Sequence, residues 1–286
     1  MTDVIRPGNT AVVTGAASGI GLALAHAFTA RGLNVVMADV EGAALENAAE
    51  EVRTAEPTLS AGGGVFAQIT DVSDEAAVGE LRDATLREFG GVHVVCNNAG
   101  VGGPITPAWE VTTAGWDWVL GVNLYGVIHG VRAFMPLLLE QDEGHMVNTS
   151  SIFGLFAGLF SAYSTSKHAV VALTESMYLD LEARDSHVGV SVLCPSAVAT
   201  RFHTSARNMP DIDPGRPDAV GEAFAKFMGE AGPSGIDPAE AAARVVRAIE
   251  DDRFYVLTDD GPHRPVTRRV GEILAGVGPM NPFEGR

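Results

Sequence analysis

Three observations predict a doubly wound parallel α/β sheet of about seven strands, with helices on both faces. Short Val/Ile/Ala-rich runs alternate with longer helical patterns, the runs are apolar throughout, and a glycine-rich turn joins the first run to the first helix. Strands that are apolar on both sides mark a sheet buried on both faces, and strand–helix alternation marks parallel βαβ units. At 286 residues and 46% hydrophobic content, the chain fits one sizeable domain spanning 1–286.

The strand candidates are Ala11–Thr14, Val35–Ala38, Val65–Ile69, Val92–Cys96, Met146–Thr149, Val190–Cys194 and Tyr255–Thr258. Between them lie helical patterns at Ile20–Ala30, Ala43–Arg53, Glu75–Phe89, Trp116–Leu139, Ala162–Ala183 and Pro238–Glu250. Residues 201–237 break this rhythm, with four prolines and several glycines around one helical patch, Ala219–Gly229. An insertion after the sixth strand lies above the carboxyl ends of the strands, where it can close a substrate pocket. Residues 259–286 form a C-terminal extension; Val266–Leu274 and the Pro-rich end Pro279–Arg286 are expected to reach a neighbouring subunit.

Composition excludes several function classes. A formal charge of −17 with no basic run argues against nucleic acid or an anionic membrane as partner. The longest apolar runs, near 152–160, fall far short of the roughly 20 residues that cross a bilayer. MTDVIRPGNT lacks the layout of a signal peptide, so a cytoplasmic location is expected. Cys96 and Cys194 each end an apolar run and read as buried free thiols rather than a bridge. No His/Cys/Asp cluster has metal-ligand spacing, so no metal is expected.

After the first strand comes Thr14-Gly15-Ala16-Ala17-Ser18-Gly19-Ile20-Gly21, opening into a helix. Small residues there let the main chain approach a pyrophosphate, whose charge the helix N-terminus favours. The spacing is not G-x-G-x-x-G, so position after strand one and before a helix carries the nucleotide reading. Asp39 ends the second strand. A carboxylate there can accept hydrogen bonds from both ribose hydroxyls and repels a 2′-phosphate. No Arg or Lys occurs in the turn to offset it, which favours NAD over NADP. An Asp39 that caps the following helix is compatible with the same position.

Only two lysines occur against seventeen arginines, and Lys167 follows Tyr163 by four residues. On a helix those positions share a face, so a compact ammonium can lie beside a phenol and lower its pKa toward that of a usable general base.

With these residues, Asp71-Val72, Asn97-Asn98-Ala99-Gly100, Asn123 in WVLGVNLYG, Ser150-Ser151 and the YSTSK run make the chain resemble the short-chain dehydrogenase/reductase family over about 9–200. The resemblance implies a Rossmann-type fold and a tetrad of Asn123, Ser151, Tyr163 and Lys167. Tyr163 would be the base, Lys167 would hold the nicotinamide ribose, Ser151 would position the substrate oxygen, and Asn123 would hold a relay water. Ser151 is preferred to Ser150, which is expected to point away. The cofactor would lie on Gly15, Ser18, Gly19, Ile20, Gly21, Asp39, Asp71, Val72, Asn98, Ala99 and Gly100, and on Pro195, Val198 and Thr200. Pro195-Ser196 departs from the family's usual Pro-Gly, which puts the shape of the nicotinamide loop in question.

The implied reaction interconverts a secondary alcohol and a ketone. The aromatic run Ile152–Phe160, with Phe153, Phe202 and Met209 as pocket candidates, points to a bulky apolar substrate such as a terpenoid, steroid or aryl carbinol. Part of that run must also serve the core or a subunit contact. Other readings are an NADPH-dependent ketone reductase of the same family and a non-catalytic NAD-binding sensor or scaffold. The four-residue Tyr–Lys spacing disfavours an enoyl reductase, and the length disfavours a nucleotide-sugar epimerase. Family members usually form homodimers or homotetramers through the helices carrying Asn123 and Tyr163.

Overall fold

The computed structural model of the chain describes residues 3–231, 234–259 and 263–280. The last residues of the Pro-rich end, 281–286, lie outside them, as do 232–233 of the insertion and 260–262 of the extension. Seven strands form one sheet: β1 (Thr10–Thr14), β2 (Asn34–Asp39), β3 (Val65–Ile69), β4 (Val94–Asn97), β5 (His145–Thr149), β6 (Gly189–Cys194) and β7 (Tyr255–Leu257). All pairings are parallel, in the order β3-β2-β1-β4-β5-β6-β7. The order reverses between β1 and β4, and ligands of such sheets bind in the crevice outside that switch point.

Side chains alternate across the sheet and build two cores. Val13, Val35, Met37 and Cys96 face α1 (Gly19–Thr29), α2 (Gly42–Thr54) and α9 (Pro238–Glu250), around Leu24, Phe28, Leu45 and Val245. Val12, Val36, Val95 and Met146 face α4 (Glu75–Phe89), α6 (Gly126–Gln141) and α7 (Ser161–Glu182), around Leu81, Phe134, Leu138 and Met177. Both faces are covered by helices, so the strands are apolar on both sides, with buried polar residues such as Asn97, His145, Asn148 and Ser191 hydrogen-bonded within the core.

Two helical features depart from the sequence reading. The helix expected over Trp116–Leu139 runs as α5 (Thr113–Leu120), a π-helical turn over Gly121–Tyr125, and then α6. By length and composition this Thr113–Gln141 rod could cross a membrane. Here it packs on α4, α7, β4 and β5. A short helix, α3 (Glu56–Ala61), fills a stretch that had no helical pattern, with Pro57 in its first turn, where a missing N–H costs nothing.

Among its described residues the 201–237 insertion adds to α8 (Ala219–Ala231) a 3-10 segment, Arg201–Asn208, where no helical pattern is read. The extension contains α10 (His263–Ala275), which buries none of its residues.

Candidate active site

The glycine turn is shaped by close approach. Gly15 and Gly19 take left-handed φ values of 66° and 57°, and a Cβ on Gly21 would collide with the Gly15 carbonyl oxygen. Ser18 precedes α1 without a side-chain cap, so the first N–H groups, next to Ile20, keep their capacity for an anion. Thr200 closes the turn from the other side, its methyl 2.9 Å from where a Gly19 Cβ would lie. Both Asp39 oxygens accept main-chain N–H groups, from Ala17 and Glu41, at 3.0 Å each. A carboxylate oxygen has two acceptor sites, so ribose hydroxyls can still be taken. The Asp39 side chain therefore braces the turn and does not cap α2.

Thr14 ties β1 to the β4 loop: its hydroxyl accepts from the main chain of Asn98 (2.9 Å) and Ala99 (3.1 Å), while Asn98 Nδ2 donates to the Thr14 carbonyl (2.9 Å). Asp71 is exposed and accepts from Ser73, and the carbonyl of buried Val72 meets His129 Nδ1. These loops all open on the same crevice.

The tetrad residues converge at the carboxyl end of β5. Tyr163 is 7% exposed and hydrogen-bonded to Ser151, whose Oγ also accepts from the Phe153 N–H. Ser150 turns away and donates to the Lys167 carbonyl at 2.7 Å. Lys167 Nζ donates to the Thr149 carbonyl at 2.9 Å and lies 5.7 Å from the Tyr163 ring centroid. A Cβ on Gly100 would stand 3.4 Å from that ammonium. Asn123 sits in the π turn, its amide bonded to both main-chain groups of Val101 and to Ser166 Oγ.

The wall above Tyr163 is aromatic. Phe160 stacks on its ring at 4.8 Å between centroids, Phe202 leans on it at 5.4 Å, and Phe153 stands edge-on at 6.2 Å. Met209 is half-buried and is not part of this cluster, which takes Phe224 and Met228 from α8.

The model of the family described as short chain dehydrogenase matches residues 9–211. The chain belongs to that family. A 1-deoxy-11-beta-hydroxypentalenate dehydrogenase of Streptomyces avermitilis is 38% identical over 257 residues, 88% of this chain and 84% of that one. A levodione reductase of Leifsonia aquatica is 32% identical over 251 residues, 86% and 88% of the two chains. A crystal structure of a short-chain dehydrogenase/reductase from Burkholderia phymatum with NAD superimposes with a TM-score of 0.92 at 38% identity, covering 99% of this chain and all of that one. This short chain dehydrogenase is accordingly an oxidoreductase acting on CH–OH donors, with a nicotinamide dinucleotide as cofactor.

Three features go beyond the sequence reading. Burial pushes the Tyr163 phenol up to about 12, against a smaller lowering from the Ser151 hydrogen bond. Burial also pulls the Lys167 ammonium down to about 8. The ribose-acid loop is not without a cation, since the insertion brings Arg207 to Glu41. Finally, Ser196 does not distort its loop. It has no left-handed φ; its N–H donates to Thr258 Oγ1 at 2.9 Å, and its hydroxyl bonds Thr258 and Asp259. Pro195 accepts from the Ile152 N–H, and Val198 bridges to Ile236, fixing both ends of that loop.

Sequence reasoning names Phe160 only within the Ile152–Phe160 run and passes over Ser205. Ser205 Oγ accepts from the Gly102 N–H at 2.9 Å and pins the insertion beside Tyr163. Nothing in the spacing of residues 102 and 205 announces that contact.

Proposed function

We propose that this enzyme interconverts a bulky apolar secondary alcohol and its ketone, with NAD as the preferred dinucleotide. The observation that carries the reading is the Tyr163–Ser151 pair, set inside an aromatic wall at the carboxyl end of β5. Gly15, Ser18, Gly19, Ile20 and Gly21 would cradle the pyrophosphate, and Asp39 the adenosine ribose. Asp71 and Val72 would flank the adenine, with Asn98, Ala99 and Gly100 lining the middle of the crevice. Lys167 would hold the nicotinamide ribose, and Pro195, Val198 and Thr200 would border the ring. The bound dinucleotide supplies the acceptor or donor of two electrons.

The chain's own residues handle the proton. Tyr163 Oη, ionised by release of its own proton to solvent, removes the proton from the alcohol hydroxyl, and the Ser151 hydroxyl donates to the oxygen as charge develops on it. Lys167, buried and charged beneath the site, stabilises the tyrosinate that must form, and Asn123 fixes the main chain of Val101 beside it. Phe160 and Phe202 exclude water from the reacting oxygen.

The hydroxypentalenate dehydrogenase and levodione reductase relatives are named for a hydroxyl-bearing and a dione substrate, which supports the alcohol–ketone reading. The test is cofactor reduction by purified enzyme with NAD and NADP in parallel, over alcohols from small diols to terpenoid, steroid and aryl carbinols. Turnover with NAD on the bulky apolar members is expected. Preference for small diols would sink the substrate reading, and a higher kcat/KM with NADP would sink the cofactor reading.

A further inference from the structure

Glu41 lies two residues past the ribose acid, at the start of α2, yet its partners come from the insertion after β6. Arg207 places Nε on one Glu41 oxygen at 3.3 Å and Nη2 on the other. Asn208 Nδ2 adds a third donor at 3.0 Å. Arg207 is itself oriented, with Nη1 on the Arg201 carbonyl (3.3 Å) and on Thr204 Oγ1 (3.2 Å). A guanidinium fork on both oxygens of a carboxylate is the strong form of such a pair. The side chains of Arg207 and Glu41 are 32% and 23% exposed, so solvent screens the pair only in part. The Arg207 guanidinium holds the Glu41 carboxyl below the usual carboxylate range.

Topology gives this contact its meaning. In the sheet, β1, β4 and β5 stand between β2 and β6. A bond from the end of β2 to the segment after β6 must therefore pass over the carboxyl ends of those three strands. That is the crevice at the switch point, above the glycine turn. The same 3-10 segment also carries Phe202 against Tyr163 and Ser205 on Gly102. The cross-link thus runs outside the space between the turn and the tetrad.

We infer that Glu41, Arg207 and Asn208 form a strap across the crevice, and that Glu41 is a positioning residue that retains the bound dinucleotide and sets its release rate. The inference rests on the crevice being the dinucleotide site. It extends that reading to two residues, 41 and 207, that touch neither the glycine turn nor the tetrad.

The test is stopped-flow release of NADH, followed by its fluorescence on displacement with excess NAD. The enzymes compared are wild type, Glu41→Gln, Arg207→Gln, the double variant and Asn208→Leu. Each single change at 41 or 207 is expected to speed release roughly five- to tenfold, as loss of one good ion pair implies. The double variant should be no faster than either single, because both remove one contact. Asn208→Leu, which leaves the ion pair, should give a smaller increase. Melting temperatures of the cofactor-free variants should fall by no more than about 3 °C, the cost of one such pair; a larger loss would mark a general support of the fold and overturn the strap. Unchanged release in either single variant, or effects that multiply in the double, would overturn the strap. If wild type takes up NADPH and not NADH, the NAD preference fails, while the same series on NADPH still decides the strap. Wild type that takes up neither would remove both.

Discussion

The two sides of the crevice are built by different means. On the β1–β2 side, the turn is fixed by glycines with no room for a Cβ, by the Ala16–Ala38 main-chain bond, and by Asp39 and Thr14 on neighbouring main-chain N–H groups. On the β6 side, the insertion is fixed by side chains: Ser205 on Gly102, Arg207 and Asn208 on Glu41, and Thr112 on the Asp213 carbonyl. The first side can hardly be altered without breaking it. The second can exchange contacts one at a time and so adapt to new substrates. The cofactor side is preorganised by backbone sterics, and the substrate side is tunable.

The largest effect tests where the two sides meet. Tyr163→Phe should lower turnover by about a thousandfold or more while NADH affinity stays within a few-fold of wild type. Retention of more than about a tenth of the activity would remove Tyr163 from the proton path. Next, Gly21→Ala should weaken NADH binding by about a hundredfold, since its methyl collides with the Gly15 carbonyl. A fluorescence titration that finds wild-type affinity would show the turn to be less rigid than its geometry.

A third test lies in the floor shared by both sides. Lys167 has its pKa depressed from 10.5 to about 8 in the folded chain. Below pH 8, folding must bury a charged ammonium; above it, the folded chain sheds the proton while the unfolded chain keeps it, so stability rises with pH. Between pH 8 and 9 the cofactor-free enzyme should gain about 1 kcal/mol in urea unfolding relative to Lys167→Met. The buried thiols of Cys96 and Cys194, whose pKa values burial raises from 9.0, pull the other way over the same unit in both proteins, so the difference between them isolates the lysine.

The smallest effect is expected on the tunable side. Phe202→Ala should raise KM for bulky apolar alcohols several-fold with kcat nearly unchanged, and leave NADH affinity as it was. A fall in kcat equal to the fall in kcat/KM would instead make Phe202 part of the transition-state contact.

What is legible in the sequence follows the same division. All seven strands can be read within about two residues, because buried parallel strands write continuous apolar runs. The glycine turn and the Tyr–Lys spacing are legible because their chemistry is local in sequence. The Glu41–Arg207 contact spans 166 positions, and the Ser205–Gly102 contact 103. No local pattern encodes either. The direction of the Tyr163 shift escapes sequence reasoning for a related reason: the sequence displays the neighbouring charge, but not the aromatic burial that outweighs it.

The π turn at Gly121–Tyr125 carries a consequence for how this rod can evolve. A π turn holds one residue more than an α-helical path would, and one residue rotates everything beyond it by about 100°. Before the turn, Gly115 packs against Pro214 of the insertion; after it, Gly130 packs against Asn97 at the end of β4. The two halves of one helix are thus indexed to different neighbours, with Asn123 at the change of phase. Deleting a single residue between 121 and 125 would restore a regular helix and misalign one half. The rod behaves as a vernier, in which one supernumerary residue lets a single helix match two surfaces whose spacings do not agree.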